Sequence, residues 1–67
     1  MTQPGPLSAE DLELLGLLAA GLQVESVARR LDTSDRTVRR RTRSICDRLG
    51  VRTMVEAVAW AARRRLV

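Results

Sequence analysis

Apolar residues recur along this chain at helical spacing, in four stretches divided by small or polar breaks. The first stretch, residues 8–20, carries Leu12, Leu14, Leu15, Leu17 and Leu18 and stops at Gly21. Ser8 stands three residues before Asp11 as a helix cap, with acids in the first turn and glycine past the end completing the boundary signals. Val24, Val27, Ala28 and Leu31 follow the i, i+3, i+4, i+7 template and predict a shorter helix over residues 24–31. Asp32-Thr33 breaks it, and Ser34 caps a third helix over residues 35–49 that Gly50 ends. On that helix Val38, Ile45 and Leu49, with Thr42 among them, make a stripe that can be buried. Thr53 and Glu56 form a capping box before a fourth helix, residues 54–65.

Along the fourth helix Val55, Val58, Ala59, Ala62 and Leu66 share the face expected to be buried. Trp60 projects about 100° beyond the edge of that stripe, which leaves it as a lid on the core or as an outer surface shared with Ala57 and Ala61. Gly16, inside the first helix, is either a seat for a closely approaching helix or a neutral residue costing up to about 1 kcal/mol relative to Ala.

Four helices joined by breaks of two to four residues leave room for little besides an all-α domain. The interval from Val24 to Gly50 is helix, short turn, helix, the arrangement in which a second helix enters the major groove of DNA. Sixty-seven residues make one small domain, and such a chain buries only about 60% of its unfolded surface. Without Phe or Tyr, the core has to be built from Leu, Val, Ala and Ile. Residues 1–6 hold Pro4, Gly5 and Pro6 and are expected to be a flexible tail or the remnant of a linker, with the folded domain over 7–67.

Charge sharpens this picture. Residues 1–28 carry −4 and no basic residue, whereas residues 29–67 hold all 12 basic residues, every one an arginine, for +8. Within the third helix Arg36, Arg39, Arg40 and Arg43 share an arc of roughly 100°, opposite the apolar stripe. Like charges at this spacing destabilise a free helix, so an anionic partner would relieve the repulsion. Arginine forks onto phosphates and onto guanine edges, which makes this the face of a DNA-reading helix. Asp47 lies on the same face as Arg43, one turn later, and is read as pairing with that arginine rather than orienting it. Arg41 projects away from the arc, towards Arg48, and reads equally as a phosphate contact or as plain exposure. Arg63, Arg64 and Arg65 read as a solvating helix end that favours its own dipole.

Other chemistries find little support. The chain has no His, a lone Cys46 and no glycine loop that could cradle a phosphate. Catalytic, metal and cofactor-binding residues are therefore all expected to be none, and the chain is read as no enzyme. Cys46, on the flank of the third helix, reads as a small core residue rather than a redox sensor. No apolar run approaches the roughly 18 residues that cross a bilayer, and no signal-peptide arrangement is present. A reducing intracellular compartment and no membrane contact are expected.

The residues also match a family pattern. Leu7-Ser8, the first helix ending Ala19-Ala20-Gly21-Leu22, and Val27-Ala28-Arg29-Arg30-Leu31 resemble the start of the LuxR-type helix-turn-helix of GerE and of FixJ- and NarL-like regulators. Ser34-Asp35-Arg36-Thr37-Val38, Ile45, Leu49-Gly50-Val51-Arg52-Thr53 and Glu56-Ala57-Val58 continue it without a gap. A fourth helix after Leu49-Gly50-Val51 sets the chain apart from region four of sigma factors. The resemblance implies a bacterial, cytoplasmic, nucleoid-associated transcription regulator that binds double-stranded DNA as a homodimer through the fourth helix. Positions matching Arg39, Arg40 and Arg43 would reach base edges; Ser34, Thr37, Arg41, Arg52 and Thr53 would hold phosphates, and Arg36 joins them. The dimer contact is expected at Ala57, Trp60, Ala61 and Arg64.

Departures from the family pattern carry their own expectations. Asp11 stands where Glu is usual, so its structural contact should be shorter or absent. Gln23-Val24 replaces Ser-Asn and removes a cap; Arg41 replaces a His and Met54 an Arg. The alternative reading is a protein-interaction module whose basic helix docks on RNA polymerase or a sigma factor.

Overall fold

Each helix begins where a side chain or a carbonyl takes up its first amides and ends where the backbone turns left-handed. A computed structural model describes residues 6–67. It holds α1 (Ala9–Ala19), α2 (Val24–Arg30), α3 (Asp35–Leu49) and α4 (Met54–Arg63), with no strand among the described residues. The all-α expectation holds, and the limits differ from it by two residues at most, at ends where the capping residue itself is not helical. Of the expected tail, residues 1–5 lie outside the described residues. Ser8 and Thr53 close reciprocal capping boxes with Asp11 and Glu56, and the Ser34 hydroxyl accepts the Thr37 amide. Gln23 makes no side-chain cap, as its replacement of Ser implied.

All four C-termini close in the same way. The amide two residues past the last turn reaches back to a helical carbonyl: Leu22 to Leu17 at 3.2 Å, Thr33 to Ala28 at 2.8 Å, Val51 to Cys46 at 3.0 Å and Leu66 to Ala61 at 2.9 Å. The residue in between has positive φ in each case: Gly21 at 94°, Asp32 at 57°, Gly50 at 72° and Arg65 at 57°. Asp32 thus makes the tight turn between α2 and α3 at a position where aspartate is among the better-tolerated non-glycine residues.

Helix α1 touches the other three helices, α3 packs on both α2 and α4, and α2 and α4 do not meet. Leu14, Leu15, Val27, Val38 and Ile45 fill the centre with no exposed surface. Helix α4 enters this core by an unexpected face. Ala57 and Ala61 have zero exposure, whereas Val55 of the expected apolar stripe is 78% exposed. The dimer contact expected at Ala57 and Ala61 is therefore corrected, since their side chains are enclosed within their own chain. The cause is packing: methyl groups let α4 settle against α1 and α3, which a stripe with Val55 would hold off. Gly16 admits no close helix; a Cβ there would meet only Val67 Cγ1, at 4.0 Å.

One polar contact ties the first turn of α1 to the last turn of α3. Arg48 Nη1 donates to Asp11 Oδ2 at 2.8 Å and to the Pro6 carbonyl at 3.2 Å. The same carboxylate oxygen accepts the Ser8 amide at 3.0 Å. Asp11 is only 5% exposed, so the contact expected to be weakened by the shorter acid is present and buried. Burial pushes the Asp11 carboxyl up, but hydrogen bonds from Arg48 and Ser8, with the charge of Arg48, outweigh it and hold the group below its ordinary 3.8.

These features give two expected outcomes. Gly16→Ala should raise stability and Gly50→Ala lower it, each by about 1 kcal/mol. Thermal unfolding should show this as midpoint shifts of roughly 4–8 °C in opposite directions; a gain in both variants would refute the left-handed requirement at Gly50. Asp11→Ala should cost about 2–3 kcal/mol at neutral pH through two lost charge-assisted hydrogen bonds. Because the folded pKa is depressed, that contribution is complete above the ordinary carboxylate value and disappears as pH falls through the lower folded value. Urea titrations of both proteins from pH 7 to pH 2 should therefore converge at the acid end.

Candidate nucleic-acid interface

Val38 and Ile45, both without exposed surface, fix the rotation of α3 about its own axis. With that back held down, Arg36, Arg39, Arg40 and Arg43 point into solvent together. The two ion pairs among the described residues use other arginines: Arg48 with Asp11 at 2.8 Å, and Arg41 with Glu10 at 3.9 Å. Four guanidinium groups therefore crowd one arc with no carboxylate within pairing distance, and each favours an anion from outside.

The start of α3 adds neutral donors. The Ser34 hydroxyl accepts the Thr37 amide at 3.1 Å and donates to Thr37 Oγ1 at 3.0 Å. Whichever hydroxyl donates in this contact, the pair keeps one hydroxyl proton for an outside acceptor, next to the positive end of the helix dipole. Thr53 is placed differently. Its hydroxyl accepts the Glu56 amide at 3.1 Å and donates to Glu56 Oε1 at 3.2 Å, so its proton is already engaged in the cap of α4. Arg52, beside it, is exposed and has only its backbone amide on Glu56, at 3.1 Å.

An open trough runs between α3 and the start of α4. Arg39, Arg40, Arg43 and Arg52 line it together with Asp47, over a floor to which Cys46, Val51 and Met54 contribute. The structure thus brings Arg39, Arg40, Arg43 and Arg52 onto one surface. Arg41 is not among its lining residues; it leans towards α1 and Glu10, half-buried. Asp47 forms no ion pair with Arg43 within 4 Å among the described residues, contrary to expectation. Arg48, which the sequence offered only as a neighbour of Arg41, anchors the helix instead.

The remaining candidates fall into place around this face. Cys46 is 8% exposed and packs in the core. Burial, with the charges of Asp47 and Glu56, pushes its thiol up from the usual range, which disfavours the reactive thiolate. Trp60 is half-buried against the core, as a lid would be. The Arg64 guanidinium lies 4.2 Å from its ring centroid and donates to the Trp60 carbonyl at 3.2 Å.

The longest helix of the domain, α3, thus sits across a partner helix with its arginine front exposed to solvent. The model of the bacterial regulatory proteins of the luxR family matches residues 5–61. The chain belongs to that family. It is accordingly a DNA-binding, transcription-regulating helix-turn-helix domain, of a kind whose members are regulators rather than enzymes. A search of curated proteins finds no match to it. Among the described residues of this LuxR-family domain, no helix is long and apolar enough to cross a membrane.

The enclosed thiol gives a direct check on the packing behind this face. Cys46 should react with an alkylating reagent at pH 8 on the timescale of unfolding, and rapidly only in denaturant. Immediate labelling of the folded domain would mean that the flank of α3 at Cys46, below the trough, is not closed against the core.

Proposed function

We propose that this domain reads a specific duplex DNA sequence, with α3 in the major groove and two copies bound to symmetric half-sites. Arg39, Arg40 and Arg43 contact base edges. Ser34, Arg36, Thr37 and Arg52 hold phosphates on either side, and Arg41 and Thr53 have the weaker claims, being engaged with Glu10 and Glu56. The observation that carries this reading is the exposed arc formed by Arg36, Arg39, Arg40 and Arg43, none of which makes an ion pair within 4 Å among the described residues. The domain does no catalysis in this reading, takes no cofactor and acts in the bacterial cytoplasm, at the nucleoid.

The homodimer uses the outer side of α4. Ala57 and Ala61 are enclosed, so of the residues expected at this contact Trp60 and Arg64 remain, on one flank of α4; Val55 and Ala62, read from sequence as core, are exposed on the other flank. A two-fold pair places its half-sites about one helical turn apart.

Selection of bound duplexes from a random pool should enrich an inverted repeat with that spacing; a single unrepeated site would argue for a monomer. On the enriched site, Arg40→Ala or Arg43→Ala should cost roughly 1–3 kcal/mol and relax base preference, if each forks onto a guanine. Arg52→Ala should instead weaken all duplexes alike and lower the salt slope by about one unit. Equal losses for every variant on specific and random duplexes would overturn this division of roles. Docking of the same helix on RNA polymerase or a sigma factor would occupy the same face, so plasmid DNA at moderate salt would displace such a partner.

A further inference from the structure

Asp47 is the one acid on the arginine face of α3. Projected along α3 at about 100° per residue, it falls inside the arginine arc, midway between Arg36 and Arg40. Arg36, Arg40, Arg43 and Asp47 follow the spacing i, i+4, i+7, i+11, so they form one row along the helix. Asp47 ends this row, about 6 Å beyond Arg43 at the rise of an α-helix. It is exposed and opens onto the trough that Arg39, Arg40, Arg43 and Arg52 line.

None of those arginines neutralises it within 4 Å among the described residues, and Arg48 beside it is held by Asp11. Its backbone carbonyl takes part in the turn that ends α3, accepting the Gly50 amide at 3.3 Å, while its side chain has no part in the cap or the core. The carboxylate is left with nothing to do in the free domain.

A duplex changes its situation. Seated in the groove, a carboxylate on the reading row meets repulsion from phosphates and from the acceptor-rich guanine edge. Only the exocyclic amino groups of cytosine and adenine offer it a donor there. We propose that Asp47 is a specificity-determining residue of α3, accepting a hydrogen bond from a cytosine or adenine amino group next to the base that Arg43 reads. It rejects duplexes that place an acceptor at that position. This rests on the reading of α3 as the groove-entering helix, and it adds a negative determinant to a face otherwise composed of cations. Arginines alone would bind many sequences through phosphates; the acid makes affinity depend on the base at the end of the row.

The test compares the intact domain with Asp47→Ala and Asp47→Asn, each put through duplex selection and then titrated on its enriched and on random duplexes at two salt concentrations. The expected result is a motif that loses its cytosine or adenine preference at one position per half-site in Asp47→Ala. The ratio of specific to random affinity should fall roughly 5- to 100-fold. Affinity for random duplex should hold or rise, because a negative charge has left a basic face. Asp47→Asn, which keeps an acceptor and gains a donor, should shift the position towards adenine. Unchanged motifs in both variants, or equal gains on specific and random duplexes, would overturn the proposal while leaving the groove-reading role of α3 intact. If the unsubstituted domain enriches no sequence at all, it is that underlying role that fails.

Discussion

The burial of Val38 and Ile45 in the core is the constraint on which the rest depends. A helix with a single apolar stripe can sit on a core in only one rotation, and these two residues, with no exposed surface, set it. Once that rotation is set, the direction of every arginine on α3 follows from the helical repeat alone. The electrostatic cost of gathering four like charges is borne by the same packing, since the isolated helix would be destabilised by it. Function and stability therefore pull in opposite directions on one element, and the surrounding helices hold it in place.

The Asp11–Arg48 contact complements this apolar clamp. Hydrophobic burial fixes rotation but tolerates sliding along the axis, whereas a buried carboxylate with two donors at 2.8 Å and 3.0 Å does not. The result is a definite register between the first turn of α1 and the last turn of α3. The depressed pKa of Asp11 reflects that geometry, because its hydrogen bonds and the nearby guanidinium outweigh the effect of burial.

Much of this was legible in the sequence because it is local. Ser8, Ser34, Thr53 and Glu56 announce their caps through interactions three residues long, and Gly21 and Gly50 mark ends that need left-handed backbone. The stripe on α3 stands out because its opposite side is so polar. Helix α4 lacked that contrast: Glu56 and Arg63 are its only charged residues, so two apolar stripes competed and periodicity could not choose. The choice lay in how near α4 must come to its neighbours, which is a tertiary matter. The same holds for Arg48 and Asp11, separated by 37 positions. For the site itself, the arginine face followed from the pattern, while the engagement of Thr53 and the isolation of Asp47 depended on actual partners.

Seating α4 through Ala57 and Ala61 has a mechanical consequence. Methyl groups have no alternative rotamers, so the joint between this helix and its neighbours has no soft side chain to absorb a displacement. A load applied to the outer side of α4, by a second copy or by anything else, would move the helix as a stiff lever. The short link from Gly50 to Thr53, which carries Arg52, is where that lever meets α3.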